Sequence, residues 1–272
     1  MSTSQKISFI GAGNMSKAII SGLVEKGYDP SLIMASNPSQ GKLDALQSEC
    51  GIHVTNDNQH AIDFADIVML SVKPQLMQSV CAPFTNNNAE RVFVSIAAGL
   101  TVERLSDFLP SESLIVRVMP NTPSAIGLGM SGIYAPYNVS RDKLQIVDSI
   151  MQSVGKTLCV EKEDDINTVI AAAGSSPAYF FLIAESMQNA AIEMGLNASD
   201  ARMLVEQAML GSATLMQQQQ TTSLADLRAQ VTSKGGTTAK AVESLQQDNI
   251  PDIFATAMQA AVARAQEMSK QF

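Results

Sequence analysis

Lys6-Ile7-Ser8-Phe9-Ile10-Gly11-Ala12-Gly13-Asn14-Met15-Ser16 is the stretch that decides the fold. Its first five residues form a short, nearly continuous apolar run, the character of a strand covered on both faces. A glycine turn follows at once, and 15–26 then carries helical spacing. The turn reads G-x-G-x-x-[G/A], with Ser16 where a third small residue permits close helix–strand packing. Gly11 allows the tight turn, and Gly13 lets the backbone approach a pyrophosphate at the positive end of the helix. Glycine turns are common, so the assignment rests on this one standing at the first strand–helix junction. The expectation is a dinucleotide-binding βαβ unit with Gly11, Ala12, Gly13, Asn14 and Met15 on the cofactor.

The pattern repeats outward. Apolar runs at 32–35, 67–72, 92–96 and 114–118 alternate with helical patterns at 40–49, 75–84 and 102–108. That alternation predicts a doubly wound parallel sheet, completed by 129–134, a helix near 141–153 and 157–160. After Lys162 the character changes. Residues 166–195 include Ala171-Ala172-Ala173 and Phe180-Phe181-Leu182-Ile183-Ala184 and are apolar almost all round; 198–217, 239–247 and 253–271 are further helices. The expected fold class is therefore α/β, with a Rossmann-type domain over 1–162 and an all-α domain over 163–272. A helix apolar on every side must be buried, and about 110 helical residues hold little core of their own. The expected cover is a second copy of the chain. The run Gln217-Gln218-Gln219-Gln220 reads as a solvated helix end or turn.

Composition narrows the function. The 272 residues suit two domains, and 46% apolar against 16% charged residues argues against disorder. A net charge of −8 disfavours nucleic acid, though it leaves room for a local cationic pocket. Cys50, Cys81 and Cys159 show no paired spacing, which suits a reducing compartment and offers no zinc site. His53 and His60 are the only histidines, so a histidine-ligated metal or a Ser-His-Asp triad would need this pair. Two partly exposed histidines near a short strand is the plainer reading, and no metal is expected. Met1-Ser2-Thr3-Ser4 leads into a strand without a secretory apolar region, and no run of ~18 residues escapes polar interruption. A cytoplasmic protein without membrane contact is expected.

The strand ends then report on the ligand. An NAD enzyme usually carries Asp or Glu after the second strand to hold the ribose 2′-hydroxyl. Here Ala35-Ser36-Asn37-Pro38-Ser39-Gln40-Gly41-Lys42 contains no acid. Ser36, Asn37 and Ser39 can donate to a 2′-phosphate and Lys42 adds charge, so NADP is preferred, with NADH possible. Capping of the next helix is the alternative, and both roles are compatible. Asn56 is assigned to the same cofactor set. The later exits read Ser71-Val72-Lys73-Pro74, Ser95-Ile96-Ala97-Ala98-Gly99 and Val118-Met119-Pro120-Asn121-Thr122-Pro123. Small residues and prolines at successive exits suit a flat nicotinamide ring, which nominates Val72, Lys73, Pro74, Ala97, Ala98, Gly99 and Asn121. Each exit alone is also an ordinary strand end or cap.

These motifs occur in this order in pyrroline-5-carboxylate reductases, as do Gly174-Ser175-Ser176-Pro177-Ala178-Tyr179 and Val231-Thr232-Ser233-Lys234-Gly235-Gly236-Thr237-Thr238. The chain resembles that family from about residue 6 to 260. The resemblance implies NAD(P)H-dependent reduction of 1-pyrroline-5-carboxylate to L-proline by hydride transfer to the C=N carbon, the last step of proline biosynthesis. It also implies a helical domain interlocked with a partner's, dimers that assemble further, often into decamers, and a site between the cofactor domain of one subunit and helices that can come from the other. Carried onto this sequence, the substrate residues are Ser175, Gly235, Gly236, Thr237 and Thr238. Glycine-rich turns at helix starts present N–H groups to carboxylates. Thr238 is the catalytic candidate, placed to hydrogen-bond the ring nitrogen and relay a proton. Helix N-capping is the alternative for Thr237 and Thr238. A protonated cyclic imine is already activated, so the chemistry needs positioning rather than a histidine base.

Three departures stand out. Lys234 replaces the family's usual proline, Ser176 replaces a common glycine, and 217–223 lacks the glutamate that some members place near the ligand. Other functions fit less well. A β-hydroxyacid dehydrogenase needs a lysine on the first long helix of its second domain, and 166–195 has none. An imine reductase for another ring leaves every motif intact. A non-catalytic NADP-binding regulator has no need of small, unhindered residues at all three exits.

Overall fold

The computed structural model describes residues 5–84 and 91–271; Met1-Ser2-Thr3-Ser4 lies outside them. The chain forms two compact units: one runs up to Ser175 and is rejoined by the chain from Ala260, the other runs from Ser176 to Gln259.

The first unit is built on eight strands: β1 (Ile7–Ile10), β2 (Ile33–Ser36), β3 (His53–Thr55), β4 (Ile67–Leu70), β5 (Val92–Ser95), β6 (Leu114–Met119), β7 (Gly129–Tyr134) and β8 (Gly155–Cys159). They form one sheet in the order β3-β2-β1-β4-β5-β6-β7-β8. The first six are mutually parallel, β7 runs antiparallel to β6, and β8 is parallel to β7. Alternate side chains point to opposite faces of a strand. Ile7, Phe9, Ile67, Met69, Val92, Val94, Val116 and Val118 accordingly enter one core, while Ile10, Val68, Leu70, Phe93 and Ile115 enter the other. Two cores explain why these strands are apolar without alternation.

Helices α1 (Asn14–Glu25), α2 (Gln40–Cys50), α3 (Asn58–Phe64), α4 (Pro74–Cys81), α5 (Val102–Ser106) and α6 (Arg141–Met151) connect the strands. α1 buries Ile19, Ile20 and Leu23, and α2 buries Leu43, Leu46 and Cys50, the one-sided stripes expected of helices on a sheet. The strand order reverses between β1 and β4, and crevices at such reversals receive ligands beyond the carboxyl ends of the strands. The alternation pattern does not predict β3 or α3. β3 is three residues long with none buried, too short to show a period. α3 spans only seven residues and is started by Asp57, whose carboxylate accepts from the Gln59 and His60 amides at 2.8 and 3.4 Å. His53 and His60 are both exposed, with His53 edge-on to Phe64.

The expected single helix over 166–195 is three pieces: α7 (Asp165–Val169), a π-helical turn at Ile170–Gly174, and α8 (Ser176–Glu193). The Ser175 amide donates to Ile170 O at 2.7 Å, the five-residue step of a π turn. Pro177 then falls in the first turn of α8, where its missing N–H costs nothing. α7 and the π turn pack on β7, and Ile166 and Ile170 form a small core with Ala265. Thus the change of character after Lys162 precedes the boundary between compact units. By length and composition Asp165–Glu193 is apolar enough to cross a membrane. It does so only when the three pieces are counted as one stretch, across the π turn at Ile170–Gly174 and the polar Ser175, Ser176 and Glu185.

The remaining helices are α9 (Ala198–Gln218), α10 (Leu224–Gln230), α11 (Thr237–Gln247) and α12 (Ile250–Gln271). α9 ends within the glutamine run, with Gln219 as its C-cap. α10 is too short for its periodicity to be read, and is capped by Ser223. α8 packs on α9 but buries none of its own residues, and α9 buries only Ala201 and Val205. Phe180, Phe181, Leu182, Met203, Leu204 and Leu210 stay exposed.

Candidate active site

The parallel strands β1 to β6 bring their carboxyl ends to one edge of the sheet, where most of the sequence-nominated cofactor residues stand. At the first exit, Gly11 has φ +105°. A Cβ there would lie 2.9 Å from the Ser71 carbonyl oxygen and 3.1 Å from Val72 Cγ1. Gly11 is therefore glycine because β4's exit presses against it. Gly13 differs: its backbone is extended and an added Cβ would meet nothing within 4 Å. No neighbour requires that glycine, so its bareness leaves a cradle for a ligand.

Gly13 caps α1 without a side-chain hydrogen bond, and the first turn of α1 holds no acid. The amides of Asn14, Met15 and Ser16 thus keep their donors free of intrahelical acceptors at the positive helix end. Ser16 Oγ donates to Gly11 O at 2.6 Å and braces the turn. The Ala12 amide is already taken, donating to Asn37 Oδ1 at 3.2 Å. Ala12 therefore shapes the turn rather than offering its N–H to a ligand.

Beyond β2, Ser36 was expected to face a 2′-phosphate. Its hydroxyl is buried and donates to Asn58 Oδ1 at 2.7 Å, so it supports the loop from behind. Asn58 is a residue that sequence reasoning missed, since nothing in its spacing marks it. Asn37 is half-buried, and Asn56 Nδ2 donates to Asn37 O at 2.9 Å, which joins the β2 and β3 exits. Ser39 caps α2 without using its hydroxyl, and Ser39 and Lys42 are exposed. This edge offers donors and a cation with no acid from Ala35 to Lys42.

At β4's exit, Ser71 Oγ is buried without a hydrogen-bond partner among the described residues, directly beside the glycine turn. Lys73 caps α4 without a side-chain bond and is exposed, with Pro74 as the first helical residue. At β5's exit, Ala97 and Ala98 are half-buried and Gly99 adopts φ +79°. At β6's exit, Asn121 is 8% exposed; its Nδ2 donates to Ala173 O at 3.0 Å and its Oδ1 accepts from the Met130 amide at 2.9 Å. Its side chain is committed to the fold, which leaves its backbone to line the edge. An open glycine cradle, an uncapped helix start, an orphan hydroxyl and an acid-free second exit together fit a phosphorylated dinucleotide.

The substrate residues divide between the units. Ser175 ends the π turn in the first. Gly235, Gly236, Thr237 and Thr238 lie in the second, where a turn closed by the Gly236 amide on Ser233 O opens α11. Gly236 is the N-cap, with no side-chain bond and no acid in the first turn. Thr237 and Thr238 are therefore the first helical residues and are exposed, so neither caps the helix. The capping alternative falls, and both hydroxyls stand beside open amides.

Shifted ionisations lie elsewhere. Burial pushes the Cys81 thiol up to about 12. Burial and then the Asp148 charge raise Cys159, and burial and then Asp66 raise Tyr28. Among the described residues no three His, Cys, Asp or Glu side chains group to hold a metal.

Comparison with known proteins extends this geometry along the whole chain. The family model described as pyrroline-5-carboxylate reductase dimerisation matches residues 163–268, and one described as NADP oxidoreductase, coenzyme F420-dependent, matches 6–99. A pyrroline-5-carboxylate reductase of Vibrio alginolyticus is 50% identical over 273 residues, covering 98% of this chain and 99% of that protein. The solved pyrroline-5-carboxylate reductase of Coxiella burnetii superposes with a TM-score of 0.93 at 40% identity, covering 98% of this chain and 99% of the other. That of Plasmodium falciparum, solved with NADP bound, gives 0.86 at 26% identity with the same coverage. The exposed apolar faces of α8 and α9 thus lie in a dimerisation domain, and the chain belongs to the pyrroline-5-carboxylate reductase family.

Proposed function

We propose that this chain reduces 1-pyrroline-5-carboxylate to L-proline with NADPH, the last step of proline biosynthesis, and accepts NADH less well. One observation carries the reading. Two glycine-led helix starts, at α1 and α11, have neither a side-chain cap nor an acid in the first turn. Each is a ready anion site, the first for a pyrophosphate and the second for a carboxylate.

The residues then take the following roles. Residues 1–162 bind the cofactor and 163–272 serve substrate and dimerisation. Gly11 forms the turn, Ala12 holds it, and Gly13, Asn14 and Met15 present the pyrophosphate cradle. Asn37, Ser39 and Lys42 receive the 2′-phosphate, with Ser36 and Asn56 fixing their loop. Val72, Lys73, Pro74, Ala97, Ala98, Gly99 and Asn121 border the nicotinamide. When bound, NADPH supplies the hydride for the C=N carbon. Ser175, Gly235, Gly236 and Thr237 hold the substrate carboxylate, and Thr238 holds a proton at the ring nitrogen. The active form is a homodimer, able to assemble further into a decamer, that works in the cytoplasm without nucleic-acid or membrane partners.

The deciding assay follows NADPH oxidation with 1-pyrroline-5-carboxylate, beside NADH and a six-membered cyclic imine. Turnover with the five-membered ring is expected. No turnover with either cofactor would sink the reading, and preference for the larger ring would change its substrate.

A further inference from the structure

We propose that Glu163 is a positioning residue for the nicotinamide end of the cofactor, acting through two strand exits at once. The inference rests on the cofactor reading above. Glu163 Oε1 accepts from the Val102 amide at 2.7 Å and from Arg117 Nη1 at 2.7 Å. Val102 opens α5 and so closes the loop that carries Ala97, Ala98 and Gly99 out of β5. Arg117 lies on β6, opposite Ser95 of β5, shortly before the exit at Pro120 and Asn121. A single carboxylate oxygen therefore ties the two exits assigned to the nicotinamide.

The tie is obligatory in physical terms. Arg117 is only 6% exposed, and a buried guanidinium without its partner is costly. The carboxylate is held where the cation is, and its remaining acceptor capacity fixes the start of α5. The loop is confined from a second direction by α12. A Cβ on Gly99 would stand 2.8 Å from Met268 Cβ, so loop and helix are in close contact there. Glu163 itself belongs to neither exit, and its influence on the ligand passes through them.

The test compares Glu163→Gln with the double variant Arg117→Leu/Glu163→Leu, which removes the ion pair without stranding a buried charge. Two ligands are titrated: NADPH and adenosine 2′,5′-bisphosphate, which occupies only the adenosine end. Hydrogen exchange is followed over 97–102. The double variant should bind NADPH roughly tenfold more weakly, the scale of losing a charge-assisted hydrogen bond. Glu163→Gln keeps an acceptor for Val102 and should lose less. Bisphosphate binding should stay within about twofold in both, with faster exchange confined to 97–102. Equal losses for the two ligands, or unchanged NADPH affinity with unchanged exchange, would overturn the inference. Failure of the wild-type protein to bind the bisphosphate would instead overturn the cofactor reading.

Discussion

Gly11 and Ser71 stand so close that a methyl group on Gly11 would lie 2.9 Å from the Ser71 carbonyl oxygen. The first strand exit is thus shaped by the fourth, across the point where the strand order reverses. Gly13, two residues on, has no such neighbour. Gly11→Ala combines a left-handed φ with overlap on backbone, and should destabilise the fold by about 3 kcal/mol. Gly13→Ala should leave the melting temperature unchanged or slightly raised while weakening NADPH binding roughly tenfold. Calorimetry beside a fluorescence titration separates the two; equal effects from both substitutions would refute the distinction.

Thr238→Ala should lower kcat/KM for 1-pyrroline-5-carboxylate by roughly ten- to a hundredfold, the range for a hydrogen bond to a charged group. Because Gly236, not a threonine, caps α11, the melting temperature should hold. NADPH affinity should also hold. A fall in cofactor affinity would mean that the Gly235–Thr238 turn had been assigned to the wrong ligand.

Ser39 caps α2 with its hydroxyl unused. Ser39→Asp places a carboxylate where the helix favours one, which should stabilise by about 0.5–1 kcal/mol. The same charge should repel a 2′-phosphate, so the ratio of NADPH to NADH efficiency should fall at least several-fold. An unchanged ratio would move the 2′-phosphate away from this loop.

Phe181 is 70% exposed on α8, in a helix that buries nothing of its own. Phe181→Glu would place an unpaired charge on this exposed apolar face, which is the surface expected to meet a second copy. Sedimentation should show monomers at concentrations where the wild type is dimeric or larger. Wild-type sedimentation would exclude this face of α8 from the interface.

The three cysteines differ in reach. Cys159 is exposed, whereas Cys50 and Cys81 are buried, so Ellman's reagent should titrate one thiol in the native protein and three after denaturation. The Cys81 thiol is raised from 9.0 to about 12, its neutral form being favoured by burial. A raised pKa contributes stability that is intact below the unfolded value and lost as pH rises through the folded one. Cys81→Ser should therefore flatten the fall in stability between roughly pH 9 and 12. An unaltered slope would show that other groups set it.

Much of the fold was legible because it depends on local pattern. β1, β4, β5 and β6 are readable as mainly apolar runs, since each is covered on both faces, although Ser8, Ser95 and Arg117 interrupt three of them. β3, α3 and α10 were illegible because three to seven residues are too few to establish a period. The helix over 166–195 was legible as apolar but not as interrupted, because a π turn leaves no mark on hydrophobic spacing. Within the candidate site, Gly13 and the uncapped start of α1 follow from the motif. Ser36 was legible as polar, yet its hydroxyl turns inward to Asn58.

By itself the sequence determined the doubly wound α/β sheet, though not the antiparallel turn into β7, together with the glycine turn and the helical domain, because strand character, turn chemistry and helix starts act within a few residues. Only the tertiary structure decided that Ser71 makes Gly11 obligatory, that Asn121 spends its amide on Ala173 and Met130, and that Glu163 joins Val102 to Arg117. Those choices require segments far apart in the chain to meet, and their partners exist only once the sheet has brought its strand ends to one edge.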